Sequence, residues 1–185
     1  MPAKPARQAG QVRIIGGEHR RRVLHFPDLP GLRPTPDRVR ETLFNWLGQE
    51  LIGLVCLDAF AGSGALGFEA ASRHAARVVM LESSRQACDA LKQNRQQLKM
   101  ERVEIQQAEA LSWMRTAGER FDVVFLDPPF ASELAGQALA LAGGLLNPQG
   151  SIYLEQGDRI TPPEGFIIHR EGRAGQSRFA LLRRS

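Results

Sequence analysis

Three acidic residues stand where this chain could do chemistry, because Asp58, Glu82 and Asp127 each follow directly after a mainly apolar run. Such runs predict buried parallel strands, and the carboxyl ends of parallel strands meet at one edge of their sheet. A carboxylate buried at that edge costs free energy without any gain for the fold. We therefore expect the three acids to converge on one ligand site.

A glycine-rich turn follows the first of these acids. Gly62, Gly64 and Gly67 are spaced by two and three residues, and glycine lets a backbone turn sharply and approach a ligand closely. Glu82 lies about 20 residues farther on, where an acid can accept hydrogen bonds from two ribose hydroxyls. The pattern predicts a nucleotide-like cofactor held by Asp58, Phe60, Gly62, Ser63, Gly64 and Glu82.

Two classes of cofactor fit this turn. A dinucleotide would place its pyrophosphate at the amino terminus of the next helix, whereas S-adenosylmethionine has a sulfonium, an ammonium and a carboxylate but no phosphate. Asp58 would repel a pyrophosphate and suits an ammonium group, so S-adenosylmethionine is favoured. Glu109, with Ala110 beside it, follows the third predicted strand and could contact the adenine, although an acid at an exposed helix start explains it equally well.

The tetrapeptide Asp127-Pro128-Pro129-Phe130 is the strongest chemical signal. Its two prolines fix the backbone and remove two amide donors, which leaves carbonyl oxygens and a carboxylate as acceptors beside an aromatic ring. A planar exocyclic amine of a nucleobase fits this arrangement, with Phe130 stacked on the base. The amine becomes acidic only after it gains a methyl group, so positioning and electrostatics should supply most of the rate.

Positive charge is concentrated at the amino terminus. Residues 1–40 hold nine Lys and Arg against three Asp and Glu, although the net charge of the whole chain is only +4. This asymmetry predicts contact with a nucleic-acid backbone, and a solvated charged tail is the alternative. The candidate RNA contacts are Arg13, Arg20, Arg21, Arg22, Arg33 and Arg38.

Composition excludes several other classes of function. The four histidines and two cysteines show no ligand spacing, so no metal site is expected. No apolar run is long enough to span a bilayer, which predicts a cytoplasmic protein without membrane contact. We also expect it to act as a monomer.

The order of elements predicts an α/β fold. Residues 1–11 should be a disordered tail, residues 12–50 a basic β-hairpin and helix that contact RNA, and residues 51–185 the catalytic domain. Thr35 should cap the helix that begins at Pro36. Strands near 54–58, 77–82, 103–106, 121–127, 150–155, 165–169 and 178–183 alternate with helices near 64–75, 84–98, 109–116 and 131–142. They predict a doubly wound, mainly parallel, seven-stranded Rossmann-like sheet.

The motifs resemble those of class I S-adenosylmethionine-dependent methyltransferases. Residues 33–47, with the hairpin at 13–17 and the loop at 172–176, resemble the bacterial 16S ribosomal RNA guanine-N2 methyltransferase D family. The resemblance implies methylation of one guanine of 16S RNA late in assembly of the small ribosomal subunit. It also implies Asp58, Gly62, Gly64 and Glu82 at the cofactor and residues 127–130 at the base. Glu109 departs from the family, which usually has Asp there.

Two other functions stay open on the sequence alone. An adenine-N6 methyltransferase would use the same chemistry, because Asp-Pro-Pro-aromatic does not name the base. A non-catalytic RNA-binding assembly factor could keep the fold and the basic amino terminus without turnover.

Overall fold

The structure, a computed structural model, describes residues 10–129 and 132–185. A hairpin is formed by β1 (Gly10–Arg13) and β2 (Val23–Phe26). The central sheet comprises β3 (Val55–Asp58), β4 (Arg77–Glu82), β5 (Val103–Gln107), β6 (Phe121–Leu126), β7 (Leu146–Gln156), β8 (Phe166–Ala174) and β9 (Ser177–Arg184). The helices are α1 (Asp37–Trp46), α2 (Ala65–Ser72), α3 (Arg85–Leu98), α4 (Ala110–Thr116) and α5 (Ser132–Ala142).

The sheet strands lie in the order β5-β4-β3-β6-β7-β9-β8. Strands β3 to β7 run parallel, whereas β9 is antiparallel to both of its neighbours. The order reverses between β3 and β6, and a crevice opens at the carboxyl ends of strands at such a point. The prediction of a doubly wound, mainly parallel, seven-stranded sheet is confirmed.

Apolar side chains fill both faces of the sheet. One buried cluster joins the hairpin with α1, α2 and α3, through residues such as Leu24, Leu43 and Leu91. The second cluster lies under α4 and α5 and includes Met114 and Leu139. The hairpin is therefore packed into the core of the sheet domain.

The hairpin differs from its predicted form at both strands. β1 already begins at Gly10, while the prediction of a disordered tail for residues 1–9 lies outside the described residues. β2 is short, so Arg20, Arg21 and Arg22 lie in the connecting segment and are exposed. Asn94 of α3 binds this strand, because its Oδ1 accepts from the His25 amide at 3.1 Å and its Nδ2 donates to the His25 carbonyl at 2.8 Å.

The start of α1 is also a correction. Pro36 is the residue that precedes the helix, and no side chain caps it. The predicted cap, Thr35, instead donates a hydrogen bond from its hydroxyl to Asp127 Oδ2 at 3.1 Å. A local capping preference has been replaced here by a contact to a residue 92 positions away.

Glu69 on α2 is a buried carboxylate that joins the hairpin to the sheet domain. Its Oε2 accepts hydrogen bonds from the Ile15 amide at 2.9 Å and from Arg40 Nη1 at 3.3 Å. Its Oε1 accepts from the Gly16 amide and from Arg73 Nε, both at 2.8 Å. Arg40 is also fully buried, and burial lowers its pKa. Because α2 begins directly after the glycine turn, this network ties the hairpin to that turn.

Candidate active site

A cavity of about 680 Å³ opens at the carboxyl ends of β3, β4 and β6. The three acids that end these strands all line it, as the sequence predicts. The predicted site residues that line the cavity are Arg33, Asp58, Phe60, Gly62, Ser63, Glu82, Glu109, Ala110, Asp127, Pro128 and Pro129. Phe130 lies outside the described residues, and its stacking on a base stays a prediction.

The glycines of the turn have different tasks. Gly62 and Gly64 have φ of +53° and +85°, a region that L side chains rarely adopt. A Cβ at Gly62 would meet no atom within 4 Å, whereas a Cβ at Gly64 would meet Phe68 at 2.6 Å and Leu91 at 2.7 Å. Gly64 therefore packs against the core, and its contact with the cofactor stays a prediction.

Asp58 is a buried acid with an unsatisfied oxygen. Its Oδ2 accepts from the Gly67 amide at 3.0 Å, and its Oδ1 has no hydrogen-bond partner among the described residues. Burial, and to a lesser extent the charge of Glu82, raise the pKa of Asp58 to about 7. An ammonium group in the cavity would supply the missing donor and favour the ionised carboxylate. This requirement fits the amino-acid end of S-adenosylmethionine.

Glu82 is held rigidly at the rim of the turn. Its Oε2 accepts from the Gly62 amide at 2.9 Å, and its Oε1 accepts from the Ser84 amide at 3.0 Å. Each carboxylate oxygen keeps a further lone pair. Two adjacent hydroxyls, such as those of a ribose, match these free acceptor positions.

The acid after β5 has a structural task in addition to its place on the cavity wall. Glu109 caps α4, because its Oε2 accepts from the Ser112 amide at 2.6 Å, and this bond lowers its pKa. Ser63 similarly supports a helix start, since its Oγ accepts from the Ala65 amide at 3.3 Å. The adenine contact of Glu109 stays a prediction.

Asp127 follows β6 and lies in an acidic part of the cavity. Burial, and next the charge of Glu155, raise the pKa of Asp127 to about 8, although the bond from Thr35 opposes this shift. Glu155 at the end of β7 accepts from the Tyr153 hydroxyl at 2.9 Å. Sequence reasoning missed Thr35, Tyr153 and Glu155 as site residues. Glu155 could have been found, because it also follows an apolar run.

The predicted RNA-contacting arginines are exposed. Arg33 reaches the cavity, whereas Arg13 lies 3.8 Å from Asp37 Oδ2. The strand register adds a second basic feature, because Arg173 pairs directly with Arg178 across β8 and β9. Like charges opposite each other destabilise a sheet. Both arginines are exposed, and the next pair along the strands, Ala174 and Ser177, lines the cavity.

The comparisons with known proteins agree with this geometry. The family model described as Conserved hypothetical protein 95 matches residues 12–183. Ribosomal RNA small subunit methyltransferase D of Escherichia coli (strain K12) is 43% identical over 181 residues, which cover 95% of this chain and 91% of that protein. The chain belongs to the ribosomal RNA small subunit methyltransferase D family. It is a methyltransferase, as the sequence predicts.

Solved structures support the fold of this family member. The Escherichia coli protein yhhF has a TM-score of 0.87 and 42% identity, and the match covers 95% of this chain and 98% of that chain. The Thermus thermophilus 16S rRNA N2 G1207 methyltransferase, solved with S-adenosylmethionine and guanosine, has a TM-score of 0.70. At 19% identity, over 96% of this chain and 50% of that chain, it supports the fold alone.

In the part of the chain that the structure describes, none of the helices is long and apolar enough to cross a membrane. No group of three or more His, Cys, Asp or Glu side chains there could hold a metal ion.

Asp58→Asn should separate stability from cofactor binding. We expect affinity for S-adenosylmethionine to fall about 10- to 100-fold, because a charge-assisted hydrogen bond is lost. The unliganded variant should melt a few degrees higher at pH 8, since a carboxyl whose pKa is raised by folding costs stability as pH rises towards about 7. Calorimetric titration and thermal melting would measure both effects. A variant that binds the cofactor normally would contradict this role.

Proposed function

We propose that this enzyme transfers a methyl group to the exocyclic N2 amine of one guanine in 16S ribosomal RNA, within the assembling small subunit. The observation that carries the proposal is the row of acceptors at Asp127, Pro128 and Pro129, on the same cavity as Asp58 and Glu82. The names of the relatives, ribosomal RNA small subunit methyltransferase D, support an RNA substrate.

The glycine turn and the acids beside it would bind the cofactor. Asp58 would bind the ammonium group, Glu82 the ribose hydroxyls, and Phe60, Gly62 and Ser63 the wall around them. When bound, S-adenosylmethionine supplies an electrophilic methyl group, whose bond to sulfur breaks as the bond to the guanine nitrogen forms.

The residues that follow β6 would bind the target guanine. The Asp127 carboxylate and a proline carbonyl accept the two amine hydrogens, which directs the nitrogen lone pair towards the methyl group. Asp127 can then take the proton that the methylated nitrogen releases, because its pKa of about 8 makes it a stronger base than an ordinary carboxylate. Thr35 holds the Asp127 side chain during these events.

Exposed positive charge indicates where the RNA would bind. We infer that two groups of exposed arginines contact the RNA backbone. They are Arg20, Arg21 and Arg22 in the segment between β1 and β2, and the pair Arg173 and Arg178. We propose that the enzyme works as a monomer in the cytoplasm without a metal ion.

Methyl transfer from labelled S-adenosylmethionine would test this function. The substrates are small subunits purified from cells that lack the modification, free 16S RNA made from them, and large subunits as the control. We expect label in 16S RNA, at a higher rate in the subunit than in the free RNA, and none in large subunits. Label in large-subunit RNA would contradict the proposed target.

Replacing Arg20, Arg21 and Arg22 together with alanine should weaken RNA binding. Each phosphate contact contributes about 0.7–0.9 to the slope of log affinity against log salt, so the slope should fall by up to about 2–3. Binding would be measured at several salt concentrations, with Arg115→Ala on the opposite face of the sheet as the control. An unchanged slope would remove this segment from the interface.

A further inference from the structure

Glu155 is an acid that the mechanism above leaves without a task. Leu126 of β6 pairs with Leu154 of β7 in parallel register. The next residues, Asp127 and Glu155, therefore lie side by side at the carboxyl ends of neighbouring strands. Both line the cavity.

Hydrogen bonds from neighbouring side chains hold the Glu155 carboxylate in place. Its Oε2 accepts from the hydroxyl of Tyr153, which is itself fully buried, at 2.9 Å. The Ser177 side chain also hydrogen-bonds to Glu155. An ionised carboxylate has about four lone-pair positions, so these bonds orient Glu155 and still leave it able to accept from a ligand.

Two neighbouring carboxyl groups are unfavourable without a ligand. Burial raises the pKa of Glu155, and burial together with the charge of Glu155 raises that of Asp127. Nothing in the packing of the sheet needs this pair, because a polar group buried at a strand end contributes little to the fold. A ligand edge that presents two adjacent N–H donors would satisfy both carboxylates at once.

We propose that Glu155 accepts the N1–H of the target guanine while Asp127 accepts from its N2 amine, and that this contact selects guanine against adenine. The inference rests on the proposed function. Guanine presents N1–H and the N2 amine side by side, whereas adenine presents a lone pair at N1 beside its N6 amine. A carboxylate facing that lone pair is repelled, so Glu155 would reject adenine as well as bind guanine.

The test uses small subunits reconstituted with guanine or 2-aminopurine at the target position. 2-Aminopurine keeps the amine but has an acceptor at N1 and lacks the guanine O6. We expect the wild-type enzyme to prefer guanine at least about 10- to 100-fold in kcat/KM. E155Q should lose most of this preference, because a glutamine amide can donate to N1 of 2-aminopurine as well as accept from N1–H of guanine.

Two further variants serve as comparisons for E155Q. Tyr153→Phe removes only the hydroxyl that orients Glu155 and should reduce the preference in the same direction, by less. E164Q changes an exposed glutamate outside the cavity and should leave the preference unchanged. If E155Q binds S-adenosylmethionine normally and keeps the wild-type preference, the inference is wrong. If the wild-type enzyme methylates no guanine at all, the proposed function itself has failed.

Discussion

Replacing Glu69 with alanine is expected to lower the free energy of unfolding by about 3–5 kcal/mol. The substitution leaves the buried guanidinium group of Arg73 without a carboxylate and leaves that of Arg40 with Asp37 alone. It also leaves the amides of Ile15 and Gly16 without their acceptor. Because domains are stable by only about 5–15 kcal/mol, this is a large part of the total.

Denaturation with urea, followed by circular dichroism, would measure this loss. Glu41→Ala on the exposed face of α1 is the matched control and should change stability by no more than about 0.5 kcal/mol. A loss below about 1 kcal/mol for Glu69→Ala would show that the hairpin does not depend on Glu69 for its attachment to the sheet domain.

Asp127→Asn should reduce the rate of methyl transfer by about 10²- to 10³-fold. The amide replaces one acceptor oxygen with a donor that faces the donor hydrogens of the target amine. Affinity for S-adenosylmethionine and for RNA should change little, because Asp58, Glu82 and the arginines are untouched. Single-turnover transfer to small subunits would measure the rate, with the exposed Asp89→Asn as the control. A rate within about threefold of wild type would contradict the role of Asp127 in methyl transfer.

The same carboxyl group predicts the pH dependence of the reaction. Asp127 must be ionised to accept the amine hydrogens, and its pKa is raised to about 8 by burial and by Glu155. The kcat/KM for the subunit should therefore rise as the pH increases towards about 8 and level off above it. In E155Q one cause of the raised pKa is gone, so the rise should move to lower pH. A profile that is flat between about pH 6 and 9 would contradict this role of Asp127.

Much of the site follows from local sequence signals. An acid after an apolar run marks the carboxyl end of a buried strand, and parallel pairing brings such ends together whatever lies between them. This is why Asp58, Glu82 and Asp127 could be expected to share one cavity. The glycine spacing similarly predicted the tight turn, because glycine alone adopts positive φ without cost.

The features that the sequence did not predict depend on contacts between distant parts of the chain. Thr35 has the sequence context of a helix cap, and only the folded chain shows its bond to Asp127. Asn94 interrupts an apolar helix stripe because it pairs with the backbone of β2, which no periodicity reveals. Glu69 and Arg40 resemble ordinary helix-surface charges in sequence but are buried against each other.

The identity of the methylated nucleoside tests the central claim most directly. Small subunits that lack the modification would be incubated with the enzyme and S-adenosylmethionine, their RNA digested, and the nucleosides identified by mass spectrometry. N2-methylguanosine in 16S RNA is the predicted product. N6-methyladenosine would keep the chemistry but contradict the target, and tight RNA binding without any transfer would contradict the account as a whole.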